Sequence, residues 1–118
     1  MDIDDLRGYC LSKPYTSEGF PFDNDTLVFK VAEKIFGLVG LDNTPLSINL
    51  KCDPERAVEL REQHEAIIPG YHMNKQHWNT VVLDGSLPRP LVLELIDQSY
   101  SLVYCSLPQK TRSMLEGW

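Results

Sequence analysis

The densest group of chemistry-bearing side chains is His72-Met73-Asn74-Lys75-Gln76-His77-Trp78, which gathers two imidazoles, an amide, an ammonium and an indole into seven residues. Lys75 and His72 suit an anion, and Asn74 suits a base edge or a backbone group, so contact with a phosphate or a partner is one reading. The plainer reading is a solvated loop with Trp78 packed inward. His72 and His77 could face each other across a hairpin, but their five-residue spacing matches no standard zinc pattern and no third ligand follows. No metal site is expected.

Other polar groups are weaker candidates. Lys30, Lys51, Ser47 and Asn49 are expected to share the open face of a sheet, where solvation alone accounts for them. Arg56 and Arg61 alternate with Glu55, Glu59, Glu62 and Glu65, a pattern of i,i+3 and i,i+4 ion pairs along an exposed helix face. His64, four residues after Leu60, is expected on that helix's apolar face, bonded to backbone or carboxylate. Asp2, Asp4, Asp5, Asp23 and Asp25 suit caps and turns, since Asp23-Asn24-Asp25 lacks the glycine and terminal glutamate of a calcium loop. Cys10, Cys52 and Cys105 form no C-x-x-C and each lies in an apolar pattern, so three reduced, buried thiols are expected. There is no G-x-S-x-G, no glycine-rich phosphate loop and no H-E-x-x-H. A non-enzymatic chain without cofactor is the expectation.

The elements that position these groups follow from length and pattern. A chain of 118 residues suits one domain, 1–118, and its 42% hydrophobic content supports a packed core. Seventeen acids against eleven bases give a net charge of −6, the wrong sign for bulk attraction to nucleic acid. The longest apolar run, Ile35 to Leu41, is seven residues, too short for a membrane helix, and Met1-Asp2-Ile3-Asp4-Asp5-Leu6 lacks the features of a secretory signal. A cytoplasmic location away from membranes is expected.

Ile3, Leu6 and Cys10 recur at helical spacing behind Asp2 or Asp4 as cap, predicting a first helix to about Leu11. Residues 13–25 carry Lys13-Pro14 and Gly19-Phe20-Pro21-Phe22 and read as a loop with aromatic anchors. Period-two alternation then predicts three strands: from Thr26, with Leu27, Phe29 and Val31 opposed to Val28 and Lys30; from Ile35; and from Leu46 to Cys52. Asp53-Pro54-Glu55 opens a helix to about Glu65, with Ala57, Val58 and Leu60 as its core face. Residues 67–72 and 78–83 read as two short strands flanking the polar loop, with Asp84-Gly85-Ser86 ending the second. A long helix follows Ser86 to Pro90, with Leu91, Val92, Leu95, Ile96, Leu102 and Val103 apolar, and Pro108 begins a short last one. The predicted class is α+β: an antiparallel sheet of about five strands in two layers, helices on one face, in the order α-β-β-β-α-β-β-α-α.

At Pro69-Gly70-Tyr71-His72-Met73-Asn74-Lys75-Gln76-His77-Trp78-Asn79-Thr80-Val81 and Leu83-Asp84-Gly85-Ser86-Leu87-Pro88 the chain resembles the MmcQ/YjbR family of small bacterial proteins. The likeness extends to Cys10-Leu11-Ser12-Lys13-Pro14 and to Ser47-Ile48-Asn49-Leu50-Lys51-Cys52. The resemblance implies a fold similar to CyaY, the bacterial frataxin homologue, and to type III secretion chaperones. It also implies DNA binding through a double-wing arrangement of hairpins, with no catalytic residues and no cofactor. Carried onto this chain, the contacts fall at His72, Asn74, Lys75 and His77, with Trp78 as packing anchor and Pro69, Asp84 and Gly85 as further structural anchors. Lys30, Lys51, Arg56 and Arg61 complete the candidate nucleic-acid set. The charge of −6 limits such binding to local, weak contact. A protein-binding adaptor or chaperone-like module, seating a partner at Phe20-Pro21-Phe22, is the alternative, and frataxin-like metal handling by the acids is a distant third. Oligomeric state is not legible.

Overall fold

The computed structural model describes residues 1–70 and 73–117. Along the chain run α1 (Ile3–Leu11), β1 (Thr16–Gly19), β2 (Thr26–Val31), β3 (Lys34–Gly40), β4 (Ser47–Lys51), α2 (Pro54–Gln63), β5 (Ile67–Pro69), β6 (Trp78–Val82), α3 (Arg89–Ser106) and α4 (Gln109–Leu115). The class is α+β, as the patterns predict, but the sheet has six antiparallel strands in the order β1-β2-β3-β4-β6-β5.

The additional strand is β1, inside the segment expected to be loop. Its residues Thr16-Ser17-Glu18-Gly19 carry no apolar alternation. Glu18 is held from α1, where Arg7 Nε and Nη2 donate to its two carboxylate oxygens at 2.7 and 2.6 Å. The helix starts follow their caps. Asp2 accepts from the Asp5 amide at 2.8 Å in a capping box, and Asp53 accepts from the Glu55 amide at 3.1 Å ahead of Pro54. α2 ends at Gln63 with His64 as C-cap, its amide donating to the Leu60 carbonyl.

Register and alternation give the sheet two unlike faces. Leu27, Phe29, Val31, Val39, Ile48, Leu50, Val81 and Ile67 join one buried cluster with Leu6 and Cys10 of α1, Ala57 and Leu60 of α2, and Val92, Leu95, Ile96 and Val103 of α3. Helices therefore cover this side. Two expectations about the core are corrected. Val58 is 45% exposed, because Ala57 and Leu60 alone complete the inward stripe of α2. Cys105 is exposed, one position round α3 from the intermediate Tyr104, while Cys10 and Cys52 are buried. Burial pushes the Cys10 thiol up to about 12.

Between β2 and β3 the register shifts at Phe29/Lys30, so both Phe36 and Gly37 lie toward the helices. The fully buried Ser99 of α3 fills the gap that this shift leaves beside β4. Its hydroxyl donates to the Phe36 carbonyl at 2.6 Å and accepts from the Lys51 amide at 2.8 Å. Two backbone groups that would otherwise lie buried and unpaired are thus satisfied by one side chain.

Candidate nucleic-acid interface on the uncovered sheet face

The opposite face carries the residues that alternate with that cluster: Lys30 of β2, Asn49 and Lys51 of β4, Trp78, Thr80 and Val82 of β6, and Ile68 of β5 reach solvent, whereas Val28 of β2, Leu38 of β3 and Ser47 of β4 are buried on this side too. Cross-strand register sets Lys51 opposite Trp78 and Asn49 opposite Thr80, whose hydroxyl donates to the Asn49 side-chain carbonyl. Lys30 and Lys51 project from β2 and β4 with only β3 between them, about 10 Å apart at the spacing of neighbouring strands. Their side chains take no ion-pair partner among the described residues. Among the described residues, none of the strand positions on this face is a carboxylate. Trp78 is half-buried here, on the side away from the helices rather than within the core, which corrects the inward packing expected of it.

The other candidate residues lie elsewhere. Arg56 and Arg61 belong to the helix layer. Instead of pairing along α2, Arg56 reaches α3, donating to Gln98 at 2.9 Å and Glu94 at 2.7 Å. Arg61 donates to the Lys75 carbonyl at 3.0 Å and to the Asn79 side-chain oxygen at 3.3 Å, so it anchors the 73–77 loop against α2. Asn79 is itself buried and donates to the Ala57 carbonyl. Within the loop, Asn74 accepts from the Gln76 amide at 3.0 Å, and its carbonyl accepts from the His77 and Trp78 amides. The His77 carbonyl takes the Cys52 amide at 2.7 Å. Asn74 and Lys75 are exposed and His77 is half-buried. His72, a named contact candidate, lies outside the described residues together with Tyr71, where the strand expected over 67–72 would continue. The lysines thus share a face, the arginines do not join them, and the loop meets that face through Trp78.

The structural anchors have definite geometry. The Ser86 side chain, and after it the Ser86 amide donating at 2.9 Å, hold the Asp84 carboxyl below the usual range, and Gly85 occupies φ +89°. Pro69 pairs with Asn79 in the β5–β6 ladder. At the next residue, Gly70, a Cβ would meet the Trp78 Cβ and carbonyl oxygen at 3.1 Å, so a side chain there would push the neighbouring strand back by a few tenths of an ångström.

A further polar group, not singled out in the sequence, joins α1 to α3. Lys13 pairs with Asp97 and lies 5.0 and 5.3 Å from the ring centres of Tyr9 and Tyr100. The Tyr9 hydroxyl donates to Asp97 at 2.7 Å, and this bond pushes its pKa up to about 12. Its signal in the sequence was slight, since Lys13 and Asp97 are distant along the chain. Among the described residues no three His, Cys, Asp or Glu side chains are grouped to hold a metal. No described helix is long and apolar enough to cross a membrane.

These features define a class: small two-layer α+β proteins that present an antiparallel sheet face free of helices. A family model described as YjbR matches residues 11–102. The chain belongs to the YjbR family. It is 39% identical over 116 residues to the protein YjbR of Escherichia coli K12, covering 98% of each chain. The crystal structure of Deinococcus radiodurans protein DR2400 is similar to it with a TM-score of 0.92 and 45% identity, over 97% of this chain and 87% of that one. A crystal structure of a Pseudomonas syringae protein is similar with a TM-score of 0.75 and 31% identity, over 87% and 99%.

Proposed function

We propose that this protein binds nucleic acid, DNA in the first instance, through the uncovered sheet face and the loop edge that Trp78 joins to it. One observation carries the reading: in a molecule of net charge −6, the strand positions of this face hold Lys30, Lys51, an amide, hydroxyls and an indole, and no carboxylate. Lysines supply phosphate contacts, Asn49 and Thr80 supply hydrogen-bonding groups, and Trp78 supplies an apolar surface against which a base can stack. In this reading the protein acts in the cytoplasm by binding, without catalysis or a cofactor.

With two or three phosphates engaged, binding is weak, and log K falls against log salt with a slope of about −2 to −3. Fluorescence anisotropy with labelled duplex and single-stranded oligonucleotides at low salt tests it. Lys51→Ala and Lys30→Ala are each expected to weaken binding several-fold and to reduce the slope by about 1, while Arg56→Ala leaves both unchanged. If neither lysine substitution alters affinity or slope, the reading fails.

A further inference from the structure

At the β1 edge of the sheet, the start of α1, β1 and the β1–β2 loop line an open apolar cleft of about 550 Å³, whose Phe20 also borders a neighbouring hollow shared with Lys30. Leu27 lies buried within it, and Ile3, Phe20 and Leu41 line it. Phe20 is 48% exposed and Leu41 38%, and Phe22, farther along the same loop, is 65% exposed. Single exposed apolar side chains are ordinary, but bulky ones grouped about one cleft mark an interaction surface.

The charges around it are mainly negative. Asp4 and Glu18 stand on its walls, and Arg7, the one cation among its described lining residues, is held by both oxygens of Glu18 and lies 3.9 Å from Asp4. The Asp25 carbonyl accepts from the Leu41 amide at 2.8 Å, which sets Asp25 beside Leu41, and Asp42 follows directly. Asp23, whose carboxylate accepts from the Asp25 and Thr26 amides, closes the same loop. We propose that this cleft docks a basic segment of a partner protein that carries bulky apolar side chains. Such a side chain fills the space between Phe20 and Leu41 while lysines or arginines meet Asp4, Asp25 and Asp42. A polyanion is repelled here, and a second copy of the chain brings the same negative charge. A small apolar ligand would leave Phe22 and the carboxylates uncovered.

A short fluorescein-labelled peptide built of leucine and lysine is the probe, with a serine–lysine peptide of equal charge as control. The leucine–lysine peptide is expected to bind in a salt-dependent way, about tenfold more tightly than the control. Amide shift changes on the wild-type protein should centre on Phe20 and Leu41, a readout that needs no variant to fold. Phe20→Ser should weaken the peptide about tenfold and leave oligonucleotide binding untouched, whereas Lys51→Ala should do neither. Equal binding of both peptides, shift changes centred elsewhere, or self-association that occupies the cleft would each overturn the proposal.

Discussion

Ile48 and Asn49 are neighbours in β4, yet Ile48 is fully buried beneath the helices while Asn49 stays half-exposed beside Lys51. The same division sorts the cations. On the covered side, Arg56 and Arg61 are consumed in tying α2 to α3 and to the 73–77 loop. On the uncovered side, the ammonium groups of Lys30 and Lys51 take no ion-pair partner among the described residues. Net charge is therefore a poor guide to what a surface can bind, because basic residues used in architecture and basic residues left on a face count alike in the sum. Arginine's planar fork suits the first role, holding two acceptors at once.

The covered side should respond through stability and the uncovered side through binding. Ile48→Ala is expected to cost about 2–5 kcal/mol in urea unfolding, against less than about 1 kcal/mol for Asn49→Ala; equal losses would erase the distinction between the faces. Ser99→Ala leaves the Phe36 carbonyl and Lys51 amide buried without a partner and should cost about 1–3 kcal/mol, with faster hydrogen exchange at the Lys51 amide. An unchanged exchange rate there would show that another group takes the hydroxyl's place.

The alkaline limb reports on the α1 side of the core. Burial raises the Cys10 thiol from its ordinary 9.0 to about 12, and the hydrogen bond to Asp97 raises the Tyr9 hydroxyl from 10.0 to about 12. Both pKa values are raised, so the unfolded chain loses these protons first, and the stability they confer is complete below about pH 9 and lost as pH rises toward 12. The urea midpoint should fall across that window, and Cys10→Ala should flatten the fall. The smallest effect is expected of Arg56→Ala, less than about 1 kcal/mol, because Glu94 at the other end of the pair is half-exposed.

Most elements were legible because their signals are local. Asp53-Pro54 states a helix start within two residues, and Leu27-Val28-Phe29-Lys30-Val31 states a strand with its two faces. β1 was hidden because its inward residue is a carboxylate, acceptable only through Arg7 on another element. The arginine contacts are hidden for the same reason: spacing on α2 shows glutamates within reach, but not the acceptors that packing brings from α3 and the loop. For the candidate site, alternation placed Lys30 and Lys51 on the open face, whereas Trp78 was assigned to the core because a large apolar ring favours burial.

The hydroxyl of Ser99 has a consequence for the opposite surface. It grips the sheet at one point, between a β3 carbonyl and the amide of the very residue whose ammonium stands on the far side. Sliding α3 by a single residue, about 1.5 Å along its axis, unhooks both bonds together. The long helix is thereby keyed in one phase, and the stance of Lys51 is set from behind by a side chain that never reaches solvent.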